Sequence, residues 1–340
     1  MKMRVIFLSA LDVWSIGDRE GASSFYNTIT LYTSYGHDVF LIKPISTRRK
    51  NYDIKGLHYI NIDVDYIDFV RSIPKISFFA DFIFRVKLTH NFIRQASALI
   101  EESNNMPCLL YAYEVHAVAA AEYLSKKYKV PFIARFQGTI LDSKIHNKLF
   151  WYLRYNVHYR ALRTKADMVI MTDDGTNGLN ILKLLENKTE KIYFWRNGVN
   201  APNLSLSIHP HVDDIRHKMR EYLNFTDKDI VLMTLSRLVC WKRVDRAIDA
   251  LSILLKQYPN CKLMILGDGD AKDDLQSRVK QKNMENNVLF VGAVEQSSLY
   301  QYFAVADIFL SLYDISNLGN PLMEAMLYRM PSSTIKNGNT

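Results

Sequence analysis

Ile230-Val-Leu-Met-Thr-Leu235 followed by Ser236-Arg237-Leu238-Val239-Cys240-Trp241-Lys242-Arg243 is the stretch whose reading decides the fold. Its first six residues are an apolar run of strand length, and beyond it Val244, Ala247, Ile248, Ala250, Leu251 and Leu254 recur at helical spacing. A strand passing through a short polar loop into a helix is the unit of parallel α/β sheets. The spacing places Arg237 at the carboxyl end of the strand and Lys242 and Arg243 in the first turn of the helix. Cations there oppose the positive end of the helix dipole and cost about 0.3–1 kcal/mol each unless an anion offsets them. Strand end, free helix N–H groups and clustered cations make a cradle for a phosphate. The bland alternative is a solvated basic turn.

The same alternation extends in both directions. Strands are expected at Val5 to Ala10, Val39 to Ile42, Leu57 to Ile62, Cys108 to Tyr111, Pro131 to Ala134, Met168 to Met171 and Lys191 to Phe194, and, after Leu235, at Lys262 to Leu266, Asn287 to Val291 and Ile308 to Leu310. Helices are expected at Ala22 to Ser34, Val115 to Lys127, Lys144 to Arg163 and Thr176 to Leu185. Phe84 to Ile100, which mixes apolar with basic residues, reads as an exposed helix. Residues 196–210 are rich in turn formers and have no period. The expected organisation is therefore an α/β chain of two doubly wound Rossmann-like domains facing a cleft: residues 1–197, a linker at 198–210, and residues 211–340.

Composition narrows the partners. With 340 residues, 43 Lys and Arg against 35 Asp and Glu, the chain carries a formal charge of +8, which favours nucleic acid, an acidic lipid surface or a phosphorylated substrate. Cys108, Cys240 and Cys261 are odd in number and too widely spaced for a CxxC site, so neither a disulfide framework nor zinc is expected and reducing cytosol is the simplest compartment. The opening apolar run stops at Asp12, too early for a signal peptide. No stretch reaches the roughly 18 apolar residues of a membrane span.

Several motifs carry two readings. Gly267-Asp268-Gly269 follows a strand as a dinucleotide fingerprint would, but Lys272 stands where its third glycine belongs. No GxxxxGK[ST] or HExxH occurs. Asp63-Val-Asp65 and Asp268-Gly-Asp270 could hold a divalent cation, but the second lies at a strand-to-helix junction, where helix capping by Asp is the favoured reading. Gly17 and Gly21 lie in a loop that either cradles a phosphate or simply turns. Asn320-Pro321 opens a helix, with Asn320 as its cap and Glu324 near the end of its first turn, where a carboxylate suits the dipole and could also accept from two vicinal hydroxyls. Glu114, His116 and Gln137 follow two strands and form a trio on one rim. The basic and aromatic segment 144–165 is either an anionic membrane contact or a core-packed helix with a solvated face.

Taken together, these residues resemble the GT-B glycosyltransferases, most closely the retaining family 4 type, the glycosyl transferases group 1. The matching motifs are Gly36-His37-Asp38-Val39, Arg196-Asn197-Gly198-Val199, Ser236-Arg237-Leu238 with Lys242, Gly267-Asp268-Gly269, Phe290-Val291-Gly292 and Glu324-Ala325-Met326, in family order. The resemblance implies a hexosyltransferase that takes a UDP- or GDP-sugar, without a metal, and transfers with retention to a glycan or lipid-linked acceptor. It implies catalytic roles for Arg237 and Lys242 on the donor diphosphate and a ribose contact for Glu324. Gly21, Gln137, Gly267, Gly292, Asn317 and Leu318 would complete the donor site, with Glu114 and His116 on the acceptor side. The setting implied is polysaccharide synthesis, in the cytoplasm or peripherally at the inner membrane face, with no nucleic acid involved. Gln137 stands where the family has histidine, and Ser316 where it has the first of two paired glutamates, which shifts attention to Asn317. The polar segment from Arg329 to Thr340 replaces the usual apolar strand and closing helices, and reads as a truncated carboxyl end. These departures support an alternative: a catalytically inactive GT-B binding module.

Overall fold

The computed structural model describes residues 2–10, 23–45, 53–63, 77–141, 152, 154–173, 176–196, 198, 212–295, 298–314 and 318–336. The chain divides into two compact units, Met1–Asp173 with Asn177–Arg196, and Asp174–Thr176 with Asn197–Thr340.

The first unit is built on a seven-stranded parallel sheet of β1 (Arg4–Ser9), β2 (Asp38–Pro44), β3 (Leu57–Ile62), β4 (Cys108–Tyr113), β5 (Phe132–Phe136), β6 (Met168–Thr172) and β7 (Ile192–Trp195), in the order β3-β2-β1-β4-β5-β6-β7. Central parallel strands are covered on both faces and so read as unbroken apolar runs. In β1, Val5 to Leu8 are fully buried. The described helices are α1 (Ser23–Ser34), α2 (Ser77–Glu101), α3 (Val115–Tyr128), α4 (Asn156–Arg163) and α5 (Gly178–Leu184).

Two helix expectations change. Within α2, Phe84, Leu88, Phe92, Ala96 and Leu99 are all buried in the unit's main core. Their i, i+4 and i, i+3 spacing makes one continuous stripe, and the basic residues between them occupy the outer face, so the helix is not an exposed one. Of the segment from Lys144 to Arg163, residues 142–151 and 153 lie outside the described residues; α4 buries Tyr159, Ala161 and Leu162 and exposes Arg160 and Arg163.

The second unit has a five-stranded parallel sheet of β8 (Ile230–Leu235), β9 (Cys261–Leu266), β10 (Val288–Gly292), β11 (Ile308–Ser311) and β12 (Ser332–Thr334), in the order β10-β9-β8-β11-β12. Around it lie α6 (Val212–Tyr222), α7 (Val244–Leu254), α8 (Lys272–Gln281), α9 (Leu299–Val305) and α10 (Asn320–Leu327). Strand order reverses between β8 and β11, and the crevice beyond the carboxyl ends of such a pair is where open α/β sheets bind ligands. β12 forms from the polar segment after Arg329 that was expected to replace a strand. It lies at the sheet edge, pairs with β11, and exposes all three residues, because an edge strand needs only backbone partners on one side.

A buried ionic bracket joins the amino ends of β8 and β11. Arg220 of α6, 1% exposed, donates to the carbonyls of Val305 (3.0 Å), Thr226 (2.8 Å) and Asp229 (3.1 Å) and to Asp307 Oδ2 (2.9 Å). The same Asp307 oxygen accepts from the Val231 N–H at 2.7 Å.

Candidate functional site

The loop leaving β8 is held by the loop leaving β9. The Ser236 N–H donates to Leu266 O at 3.1 Å, Leu238 N–H to Asp268 O at 2.9 Å, and Ala271 N–H to Leu238 O at 2.9 Å. This approach explains the Gly-Asp-Gly motif. A Cβ at Gly267 would stand 1.8 Å from Ser236 O, and one at Gly269 2.5 Å from Leu238 O. Gly292 closes β10 at φ +87°, and its carbonyl accepts the Gly267 N–H at 2.7 Å. Asp268 does not cap α8, whose cap position is Ala271. It accepts from the Gly269 N–H at 2.8 Å and from Lys272, and these contacts hold its carboxyl below the usual range.

The basic turn differs from its sequence reading. Lys242 ends a short 3-10 turn, Cys240–Lys242, and α7 begins only at Val244, with Arg243 between them in a left-handed conformation at φ +48°. Neither cation therefore lies in the first helical turn. Arg243 is bound by Asp245 at 2.9 Å and by Asp314 at 3.3 Å. Its hydrogen bonds to Asp245, then to Asp314, push its pKa up, and the Arg243 bond in turn holds the Asp245 carboxyl down. Arg243 serves the fold.

Lys242 is held in a different way. Its ammonium lies 4.0 Å from the ring centre of Tyr313 and 4.5 Å from that of Trp241, while the Arg237 guanidinium stands 5.7 Å from the same Trp241 ring. Aromatic faces attract a cation without neutralising it. Tyr313 is fixed in turn: it is 1% exposed and donates its hydroxyl to Leu235 O at 2.7 Å. Asp314 N–H donates to Trp241 O at 3.1 Å, so the loop after β11 clamps the turn after β8. Tyr313 and Asp314 escape the sequence reading. The available signal was their position directly beyond β11, equivalent to that of Arg237 beyond β8.

Glu324 lies on α10, the helix after β11, and is 7% exposed. Gly319 is the cap residue of α10, so Asn320 is its first residue and Pro321 its second, one position earlier than expected. Leu318 packs against the apolar cluster that contains Val231, Met233 and Phe309. Asn317, Ser316, Gly21 and Asp65 lie outside the described residues. Among the described residues no cluster of His, Cys, Asp and Glu has the arrangement of a metal site.

In the first unit, Glu114 and Gln137 meet and His116 does not join them. Glu114 Oε1 accepts the Gln137 N–H at 2.7 Å, and the Gln137 side-chain amide donates to the Tyr113 hydroxyl. Thr172 Oγ1 donates to Gln137 Oε1 at 3.3 Å, and the buried Arg135 donates to Thr172 Oγ1 at 3.0 Å. This network ties together the carboxyl ends of β4, β5 and β6. Arg135 and Thr172 were missed because each lies inside an apolar strand. His116 instead lines a cavity of about 1050 Å³ with residues of α2 and α4.

Residues 215–339 match the family model of the glycosyl transferases group 1. The second unit is a group 1 glycosyl transferase domain. The alpha-monoglucosyldiacylglycerol synthase of Streptococcus pneumoniae is 27% identical over 122 residues, which cover 36% of this chain and 27% of that protein. The matches to the first curated relatives span just over a quarter of those proteins' own lengths, 27–28%. Solved structures are similar to nearly the whole chain. The sucrose-phosphate synthase of Thermosynechococcus elongatus aligns with 99% of this chain and 82% of its own at a TM-score of 0.75 and 16% identity. Anabaena HepE, in complex with UDP and glucose, aligns with 99% of this chain and 81% of its own at 0.68 and 18%. The fold is GT-B, as the sequence motifs implied. Among the described residues no helix is long and apolar enough to cross a membrane.

Proposed function

We propose that this chain is a retaining glycosyltransferase that moves a hexose from a UDP- or GDP-sugar to a glycan or lipid-linked acceptor, without a metal, in the synthesis of cell-surface polysaccharide or glycolipid. The carrying observation is that Arg237 and Lys242 flank Trp241 just beyond β8 while Glu324 sits on the helix after β11, the two strands of the switch point. Lys242, packed against the rings of Trp241 and Tyr313, would offer its ammonium to a diphosphate. With Arg237 it would stabilise the negative charge that grows on the departing nucleotide as the sugar–phosphate bond breaks. The Glu324 carboxylate would accept from the ribose hydroxyls, with Gly267, Gly292, Asn317 and Leu318 shaping the donor site. By the sequence resemblance alone, Gly21 and Gln137 would serve the donor and Glu114 and His116 the acceptor. The UDP and glucose bound by Anabaena HepE support the donor class, and the diacylglycerol in the name of the pneumococcal relative supports a lipid acceptor. Residues 144–165 would then contact an anionic membrane surface on the cytoplasmic side.

UDP or GDP at a hundred times its Kd is expected to add about 2.7 kcal/mol to the stability of the second unit, read as a rise in melting temperature. Arg237→Ala should remove most of that rise. No rise with UDP, GDP or ADP would sink the reading. A rise without sugar transfer to any membrane acceptor would favour the inactive binding module.

A further inference from the structure

Lys242 stands on a turn past β8, but a ring that supports it comes from the neighbouring strand. Three consecutive residues past β11 grip this turn and the start of α7. Leu312 O accepts from Arg246 at 3.0 Å. The Asp314 carboxylate binds Arg246 at 2.6 Å and Arg243 at 3.3 Å, and the Asp314 N–H donates to Trp241 O at 3.1 Å. Between these two residues, Tyr313 sets its ring centre 4.0 Å from the Lys242 ammonium. The two arginines are met by a carboxylate, and the lysine by a ring face.

Tyr313 is a fixed support. It is almost wholly buried, and its hydroxyl donates at 2.7 Å to the carbonyl of Leu235, the last residue of β8. Trp241, the second ring beside Lys242, is only partly buried and belongs to the same 3-10 turn as the lysine, so it moves with it. Tyr313 instead ties the ammonium to the sheet. A lysine side chain gives up much rotamer freedom when a ligand fixes it, and a ring that already holds the ammonium lowers that cost. The ring attracts the cation through its quadrupole and brings no oxygen to compete with those of a phosphate.

We propose that Tyr313 is a positioning residue for the donor diphosphate: its ring presents the Lys242 ammonium, already ordered, to the phosphate oxygens. This role rests on the donor site proposed above. Buried as it is, the tyrosine acts through Lys242 rather than on the nucleotide. It also joins the two strands of the switch point, since the ring belongs to the loop that leads from β11 to α10 and Glu324, while the ammonium belongs to the turn after β8. Two separate chain segments are thereby held in one register for a ligand that would touch both.

The test is calorimetric titration of the full chain with UDP and with GDP, the tighter of the two serving as probe. Tyr313→Leu should weaken it about tenfold, the scale of a partly desolvated cation–π contact. Tyr313→Phe keeps the ring but gives up the bond to Leu235, and should recover most of that loss. In a Lys242→Met background, Tyr313→Leu should cause no further loss, because the ring then has no ammonium to hold. Phenylalanines with one, two and three ring fluorines at position 313 should weaken the probe step by step, since fluorine drains the ring face while barely changing its size. These ring variants carry the test if circular dichroism shows Tyr313→Leu unfolded. Without nucleotide, the 13Cε resonance of Lys242, assigned by its loss in Lys242→Met, should move when the ring is removed. If the wild-type chain binds neither UDP nor GDP, the donor reading falls and this role falls with it. If it binds one of them, then equal losses from Tyr313→Leu with and without Lys242, affinity indifferent to fluorination, or a Lys242 resonance indifferent to the ring overturns the role of Tyr313 alone.

Discussion

Gly267→Ala is expected to destabilise the second unit by about 3 kcal/mol or more and to raise the nucleotide Kd of the protein that remains folded. The added Cβ would fall 1.8 Å from Ser236 O and 2.9 Å from Ser236 C, and the residue's φ of +125° is one that L side chains rarely adopt. Strain of this kind costs about 1–3 kcal/mol alone. The colliding atoms are backbone and cannot rotate away, so the two loops must separate and break the Leu238 to Asp268 and Ser236 to Leu266 hydrogen bonds. Those bonds hold the chain just ahead of Arg237 and Lys242, which links stability to the proposed donor site. Gly292→Ala is the control: its φ is +87°, but a Cβ there meets nothing within 4 Å, so only the conformational cost of about 1 kcal/mol applies. Urea unfolding followed by fluorescence of Trp241, the second unit's single tryptophan, reads both. Equal losses for the two variants would show that the loop contact is not what requires glycine at 267.

How far the sequence revealed this arrangement depended on the range of the interaction. β8, Ile230–Leu235, is legible because a strand covered on both faces needs apolar residues throughout. Arg237 is legible because it directly follows that strand. The helix start after it is not: a 3-10 turn and a left-handed arginine leave no periodic signal, so Lys242 and Arg243 were placed in a helix that begins at Val244. Tyr313 and Asp314 lie some 70 residues away from the turn they clamp. Recognising them requires knowing that β11 pairs with β8, which no local pattern contains. His116 was grouped with Glu114 on proximity in sequence. Once α3 starts at Val115, successive residues rotate by about 100°, and His116 turns away from Gln137 into the cavity it shares with α2 and α4. α2 was misread for a simpler reason: the basic residues between its buried i, i+4 positions hid a complete stripe.

Asp307→Ala is expected to cost the second unit about 3 kcal/mol, the lower end of the range for breaking a buried ion pair because the aspartate side chain is itself about a third exposed. The loss comes mainly from what remains: an Arg220 guanidinium in the interior with carbonyl partners but no counter-charge. The Val231 N–H loses its acceptor as well. Adding Arg220→Met to Asp307→Ala should recover part of the stability, since an apolar side chain needs no counter-ion, but not all of it, since the carbonyls of Val305, Thr226 and Asp229 then lose their donor. Urea midpoints of the two single variants and the double variant measure that coupling, and strictly additive losses would show that the two residues do not act as a pair. The bracket lies at the amino ends of β8 and β11, while Arg237, Lys242 and Tyr313 lie beyond their carboxyl ends. Asp307→Ala should therefore lower stability while leaving the nucleotide Kd of the folded protein unchanged, whereas Gly267→Ala, acting on the loop itself, should change both.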